Sequence, residues 1–163
     1  MPGRRQSEQT QNEIALLVAM LKFASLISRP MRDSVADPAG LSANELRLLM
    51  ALSGEGASAG HHLAELMGMH AMNVSRALGS LHEMGLIEPV RNPHNRRVKP
   101  YRISARGAKA HAALEPELAQ VARFLFGALT KQERASFGTI LAKLERRVLA
   151  WQPSDRRPHV PRA

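Results

Sequence analysis

Four polar residues near the middle of the chain are of the kinds that bind nucleic acid, and they recur at helical spacing. They are Asn73, Ser75, Arg76 and Ser80. The apolar residues between them would form one buried face of a helix: Val74, Ala77, Leu78 and Leu81. Asparagine and arginine side chains bond to base edges, and serine bonds to phosphates. The pattern predicts a helix whose polar face fits the major groove of DNA.

A second group of candidate residues follows in a strongly basic stretch. Residues 91–106 carry six basic side chains and no acidic one. The stretch contains the loop 92–97, and the candidates for DNA contact are Arg91, Arg96, Arg97 and Lys99. A basic loop beside a helix in the major groove suits the narrow, electronegative minor groove. The alternative is a solvated turn, which is what most short charge runs are.

Composition excludes several other kinds of chemistry. The chain has 23 Lys and Arg against 14 Asp and Glu, a formal charge of +9, and no cysteine. It has no glycine-rich phosphate loop, no carboxylate pair and no Ser/His/Asp grouping in a recognisable context, so we expect neither an enzyme nor a cofactor. His61, His62 and His70 lie near Glu65, but adjacent histidines on a helix cannot face one ion together. We therefore predict no metal site and favour a surface or phosphate-contacting role.

No stretch is expected to span a membrane. The most apolar run, 14–27, is interrupted by Lys22 and is shorter than the ~20 residues that a spanning helix needs. A signal peptide is not expected either, because Glu8 and Glu13 follow the arginines near the N-terminus. We expect a cytoplasmic protein.

The elements that would position the candidate residues can be predicted from periodicity and from helix-end signals. Pro30 would end a first helix, and residues 31–41 would form a connection. Ser42 and Glu45 predict a capping box before a buried stripe of Leu46, Leu49 and Met50. Gly68 supplies the turn of a helix-turn-helix. The expected helices cover 11–29, 42–52, 59–67, 71–84, a long segment from 104, and 131–150; extended segments at 86–91 and 98–103 form a two-stranded hairpin.

This order predicts a mainly α fold with a small two-stranded β wing, in which a winged helix-turn-helix is joined to a helical dimerisation region. The predicted divisions are an N-terminal dimerisation helix with a frayed start (1–30), the DNA-binding domain (42–106), C-terminal dimerisation helices (107–151) and a disordered tail (152–163). The end helices carry more apolar surface than a winged domain of this size can cover. We therefore expect a homodimer.

The central motifs resemble those of the MarR family of transcriptional regulators. The residues that carry the likeness are 72–76, Leu81, 85–87, 92–97 and 103–107. The resemblance implies a sequence-specific repressor of double-stranded DNA with a palindromic operator, released by a small aromatic or phenolic ligand. The chain departs from the family at Asn92 and Asn95, where acidic residues are expected. An amide can accept a hydrogen bond from the wing arginine but cannot form the ion pair that a carboxylate would form.

One alternative to sequence-specific regulation stays open. A winged helix can serve as a non-specific architectural or RNA-binding module that contacts only the backbone of the nucleic acid. The polar face around Asn73 and Arg76 argues against this alternative, because non-specific binders do not need it.

Overall fold

The computed structural model describes residues 2–90 and 99–151. Its helices are α1 (Pro2–Met31), α2 (Ala43–Glu55), α3 (Gly60–Met67), α4 (Ala71–Glu83), α5 (Ala105–Ala113), α6 (Glu115–Phe126) and α7 (Lys131–Leu149), and its strands are β1 (Ser58–Ala59), β2 (Ile87–Pro89) and β3 (Pro100–Ile103). A boundary between Val121 and Ala122, inside α6, divides the chain into two compact units. The predicted mainly helical fold with a small sheet is confirmed. The predicted domain divisions stay predictions, and residues 152–163 lie outside the described part.

The first helix is longer than predicted at both ends. Pro30 lies inside α1 and does not end it, contrary to the prediction. Proline has a helical φ and removes only one hydrogen bond of the ladder, so a helix can pass through it near an end. The predicted connection is also helical: a π-helical turn covers Arg32–Ala36 and a 3-10 turn covers Asp37–Ala39. Val35 and Ala36 are buried there.

Helix α2 forms the centre of the first unit. Its capping box is confirmed, because the Ser42 side chain accepts from the Glu45 N–H while the Glu45 carboxylate accepts from the Ser42 N–H. The buried residues are Leu46, Leu48, Leu49 and Leu52, whereas Met50, predicted to be buried, is 36% exposed. Helices α3, α4 and α5 and strand β3 all pack against α2. The buried face of α2 is therefore wider than the predicted stripe and does not include Met50.

The sheet has three strands in the order β1-β3-β2, and not two as predicted. Ser58 and Ala59 pair with Tyr101 and Pro100, so β3 is the central strand of the sheet. A two-residue strand is too short to show a period, which is why the sequence did not reveal it.

The long helix predicted after Ser104 is broken at Leu114 into α5 and α6. Pro116 lies in the first turn of α6 and has no N–H to continue the ladder of α5. The Leu114 side chain is buried at the break, and Ser104 caps α5 as predicted.

Helices α1 and α7, each in its own unit, expose many large apolar side chains. On α1 they are Ile14, Leu16, Leu17, Val18, Met20, Leu21, Phe23 and Leu26; on α7 they are Ile140, Leu141, Leu144, Val148 and Leu149. The helical stretch Ser7–Ala39 is, by length and composition alone, able to cross a membrane, with a mean hydropathy of 1.6 over its most apolar window. This finding concerns length and composition only, so the expectation that no stretch spans a membrane stays a prediction.

Candidate DNA interface

Helices α3 and α4 form the helix-turn-helix that the sequence predicts. Gly68 adopts a left-handed conformation with φ 59°, and its N–H donates to Glu65 O at 3.2 Å. The Met69 N–H donates to Ala64 O at 2.9 Å, which completes a tight helix end. An added Cβ at Gly60 would lie 3.4 Å from Leu78 Cδ1, so α3 starts in close contact with α4.

Helix α4 has one buried face and one exposed face. Val74, Ala77, Leu78 and Leu81 are all at most 6% exposed. Asn73, Ser75 and Arg76 are exposed, which is where the helical spacing places them. Three of the four predicted residues of α4 are therefore brought to one accessible surface.

The fourth residue, Ser80, is placed differently. It is half-buried, and its interaction with Glu45 on α2 is one of the causes that lower the pKa of the Glu45 carboxyl. Partial burial of Glu45 acts to raise the pKa of its carboxyl, but the interaction with Ser80 and the hydrogen bonds with Ser42 outweigh it and hold the pKa below its usual value. The Glu45 carboxylate is therefore ionised at neutral pH and accepts a hydrogen bond from the Ser42 N–H at the start of α2.

Strands β2 and β3 form the base of the wing beside α4. Glu88 and Arg102 face each other across the strands and form an ion pair with 2.6 Å between Arg102 Nη2 and Glu88 Oε1. Lys99 precedes β3 and is exposed. The other predicted wing residues, Arg91, Arg96 and Arg97, lie outside the described residues.

Two contacts that the sequence analysis missed join α4 to this sheet. His82 Nδ1 lies 3.2 Å from Ile87 O, and the His82 ring lies 5.9 Å from that of Tyr101, centroid to centroid. No local spacing signals these partners, because Tyr101 comes from a strand 19 residues further along the chain. The contacts fix the base of the wing against the C-terminal part of α4.

The sheet is joined to α5 through a close backbone approach. The Ser104 hydroxyl donates to Gly85 O at 2.7 Å, and the Ser104 N–H donates to Leu86 O at 3.0 Å. A Cβ added to Gly107 would lie 1.9 Å from Leu86 O, closer than any real contact. Only glycine therefore fits at this position with the backbone as it stands.

Among the described residues, no group of three or more His, Asp or Glu side chains is arranged to hold a metal ion. His61, His62 and His70 are each exposed.

Comparison with known proteins shows which family and which fold this interface resembles. A model of the MarR family matches residues 39–98, and no curated protein matches the sequence. A mutant MarR from E. coli complexed with operator DNA is 20% identical, with 82% of this chain and 96% of that one covered and a TM-score of 0.67. A MarR family regulator from Silicibacter pomeroyi is 22% identical (86% and 89% covered, TM-score 0.68). An organohalide-sensing regulator in its 2,4-dichlorophenol-bound form is 20% identical (84% and 81% covered, TM-score 0.65). The family match over residues 39–98, which hold the helix-turn-helix and the start of the wing, together with the shared fold, identifies a MarR-like winged helix-turn-helix protein.

Proposed function

We propose that the protein is a cytoplasmic, homodimeric repressor that binds a palindromic operator in a sequence-specific manner and is released by a small aromatic or phenolic ligand. The observation that carries the proposal is the outer face of α4, where Asn73, Ser75 and Arg76 are exposed while the opposite face is buried. A helix held in this way can enter a major groove with these three side chains facing the DNA.

The roles of the contacting residues follow from their chemistry. Arg76 and Asn73 read base edges, because guanidinium and amide groups form paired hydrogen bonds with guanine and adenine. Ser75 binds phosphate, and the basic wing side chains add backbone and minor-groove contacts. Those side chains are Arg91, Arg96, Arg97 and Lys99. The operator complex of the E. coli protein supports this assignment, since it shares the fold.

Selection of bound duplexes from a random pool tests the sequence specificity. Arg76→Ala is expected to lose about 1–3 kcal/mol of discrimination at the base that Arg76 contacts. Arg96→Ala is expected to weaken binding evenly across sequences and to lower the salt dependence by about one phosphate contact. Equal binding of the wild type to selected and random duplexes would instead support the non-specific architectural alternative.

Dimerisation is supported by the apolar surface of α1. Leu17 is 53% exposed and Leu21 59% exposed, within a row of large apolar side chains longer than a monomeric soluble protein leaves uncovered. A second copy of the chain would cover this row, with the helices of 1–30 and 107–151 as the dimerisation elements. A Leu17→Glu, Leu21→Glu double variant should sediment as a monomer and lose operator affinity. The exposed polar substitution Gln9→Glu on the same helix is the control and should stay dimeric.

The ligand is proposed to bind in a cavity between α1 and α2. The cavity has a volume of about 180 Å³, and its lining residues are Ile27, Ser28, Met31, Arg32, Ala43, Leu46, Arg47 and Met50. An apolar cavity of about 150 Å³ holds a benzene ring, so one substituted ring fits. Arg32 pairs with Asp33, whereas Arg47 has no carboxylate partner among the described residues and is available to a phenolate.

Calorimetry with 2,4-dichlorophenol tests the cavity, since the organohalide-sensing regulator of the same fold binds that compound. Arg47→Gln should weaken binding, whereas Arg123→Gln, an exposed change in the other unit, should not. Wild-type protein that binds neither this phenol nor a series of related ring compounds would refute the ligand part of the proposal and leave the DNA part standing.

A further inference from the structure

Met72 is a large apolar side chain on the outer surface of α4. It is 72% exposed, although methionine is among the residues most often buried in folded proteins. Within α3 and α4, both of which the structure describes completely, no other large hydrophobic side chain is exposed. The larger side chains exposed near it on α4 are polar, namely Asn73, Ser75 and Arg76. Met72 is therefore an isolated apolar group on a polar surface, unlike the continuous apolar row of α1.

Met72 lies near the centre of the exposed face of α4. A helix turns by about 100° per residue, so a residue two positions from another lies almost opposite to it. Met72 and Arg76 stand in this relation to the buried Val74, and they are neighbours on the surface because they are four positions apart. Met72 is also in the first turn of α4, which begins at Ala71. The N-terminal residues of a recognition helix contact base edges, so a helix that brings Arg76 to the bases brings Met72 to them as well.

The major groove offers one apolar group that such a side chain can contact. All four bases present hydrogen-bonding groups there, but only thymine also has a C5-methyl group. A thioether and a methyl group that lie against each other are both removed from water, which is favourable. The same methionine against purely polar groups would displace their water without replacing the hydrogen bonds, which costs free energy. A methionine that faces the floor of the groove therefore favours thymine.

We infer that Met72 is a specificity-determining residue, which packs against the C5-methyl group of one thymine in each half-site of the operator. The inference rests on the proposed function, since it requires α4 to lie in the major groove. It adds an apolar contact to the polar contacts of Asn73 and Arg76. Methionine suits this contact because its side chain is unbranched and polarisable and adapts to the position of a small apolar group.

Replacement of thymidine by deoxyuridine tests the inference, because this change removes only the C5-methyl group and keeps the base pair. We would replace each thymidine of one half-site of the selected operator in turn and measure the affinity by fluorescence anisotropy. At one position the wild type should bind about fourfold more weakly, as expected when one methyl group is no longer buried. Met72→Ala should bind the two duplexes equally, so the protein change and the DNA change form a double-mutant cycle with a coupling of about fourfold.

Further variants separate the apolar contact from other effects. Met72→Leu keeps an apolar side chain and should keep most of the response to the methyl group, whereas Met72→Gln, of similar length but polar, should lose it. Arg76→Ala is the matched control on the same side of α4. It should weaken binding to both duplexes and keep the fourfold difference between them. Because the Met72 side chain is exposed, Met72→Ala should unfold at the same urea concentration as the wild type.

The possible outcomes distinguish the inference from the proposed function. A wild type whose affinity for its operator is unchanged by every replacement would overturn the inference and leave the proposed function standing. A Met72→Ala variant that keeps the full response would also overturn it, because another residue would then contact the methyl group. A wild type that binds selected and random duplexes equally would refute the proposed function. The inference is then decided on random duplexes made with thymidine or with deoxyuridine, and it fails if the wild type and Met72→Ala respond alike.

Discussion

Replacement of Gly107 by alanine should destabilise the protein, although alanine is the better helix former. The added Cβ would lie 1.9 Å from Leu86 O, 2.8 Å from Leu86 C and 2.9 Å from Ile103 Cγ1. Two of these three atoms belong to the backbone, so rotation of a side chain cannot relieve the clash. The Leu86 carbonyl also accepts the Ser104 N–H, and its displacement would weaken that hydrogen bond.

The size of the effect follows from opposing contributions. An extra methyl group in a closely packed site costs about 1–3 kcal/mol, and a weakened backbone hydrogen bond adds about 1 kcal/mol. The better helix propensity of alanine offsets at most about 1 kcal/mol of this loss in the free energy of unfolding. We expect Gly107→Ala to lower the free energy of unfolding by about 2 kcal/mol. Because Leu86 leads directly into β2, operator affinity should fall as well, even under conditions where the variant is folded.

Urea unfolding at equal protein concentrations measures the change, and Gly79→Ala is the matched control. Gly79 is also helical, but no atom lies within 4 Å of its added Cβ. This control should be unchanged or up to about 1 kcal/mol more stable than the wild type. If Gly107→Ala proved as stable as Gly79→Ala, the close approach of α5 to Leu86 would not exist as described.

Three further changes have expected outcomes. The pKa of the Glu45 carboxyl is lowered in the folded protein, so its ionised form stabilises the folded state above the usual pKa of 4.5, and this contribution is lost as the pH falls below that value. Urea unfolding of the wild type and of Glu45→Gln, repeated from neutral pH to below pH 4.5, should therefore show a shrinking difference in the free energy of unfolding. Arg102→Ala removes an exposed ion pair with Glu88, so the loss of stability should stay below about 1 kcal/mol and shrink further when thermal unfolding is measured at high salt. Thr130→Ala removes the N-cap of α7 and should lower the free energy of unfolding, measured in urea, by about 1 kcal/mol. Thr139→Ala, inside the same helix, is the control and should lower it little. Equal losses in the two variants would show that the capping box does not stabilise α7.

Features with local causes could be predicted from the sequence. The capping box predicted at Ser42 depends on two residues three positions apart, and it is present. A second one, formed by Thr130 and Glu133, starts α7 in the same way. Two prolines show the limit of such rules. Pro30 is tolerated near the end of a long helix, whereas Pro116 separates α5 from α6. Both interrupt the hydrogen-bond ladder in the same way, and the outcome depends on the packing around them, as at the buried Leu114.

The candidate site shows the same division between local and distant causes. Helical spacing placed Asn73, Ser75 and Arg76 on the exposed face of α4, because exposure on a helix follows from position along it. It also placed Ser80 with them, although Ser80 is half-buried and lies near Glu45, 35 positions earlier in the chain. Spacing within one helix carries no information about a partner on another. For the same reason strand β1, which pairs only with the distant β3, could not be foreseen.

The exposed apolar surface of α1 has a further consequence for stability. By length and composition such a helix could cross a membrane, whereas in the proposed DNA-binding homodimer a second protein surface covers it. If that surface is a second copy, folding and association are coupled, and the temperature of half-unfolding must rise with protein concentration. Thermal unfolding over a hundredfold range of concentration measures this directly. An unchanged midpoint would mean that the α1 surface does not depend on a second copy, and the dimer proposed here would have to be abandoned.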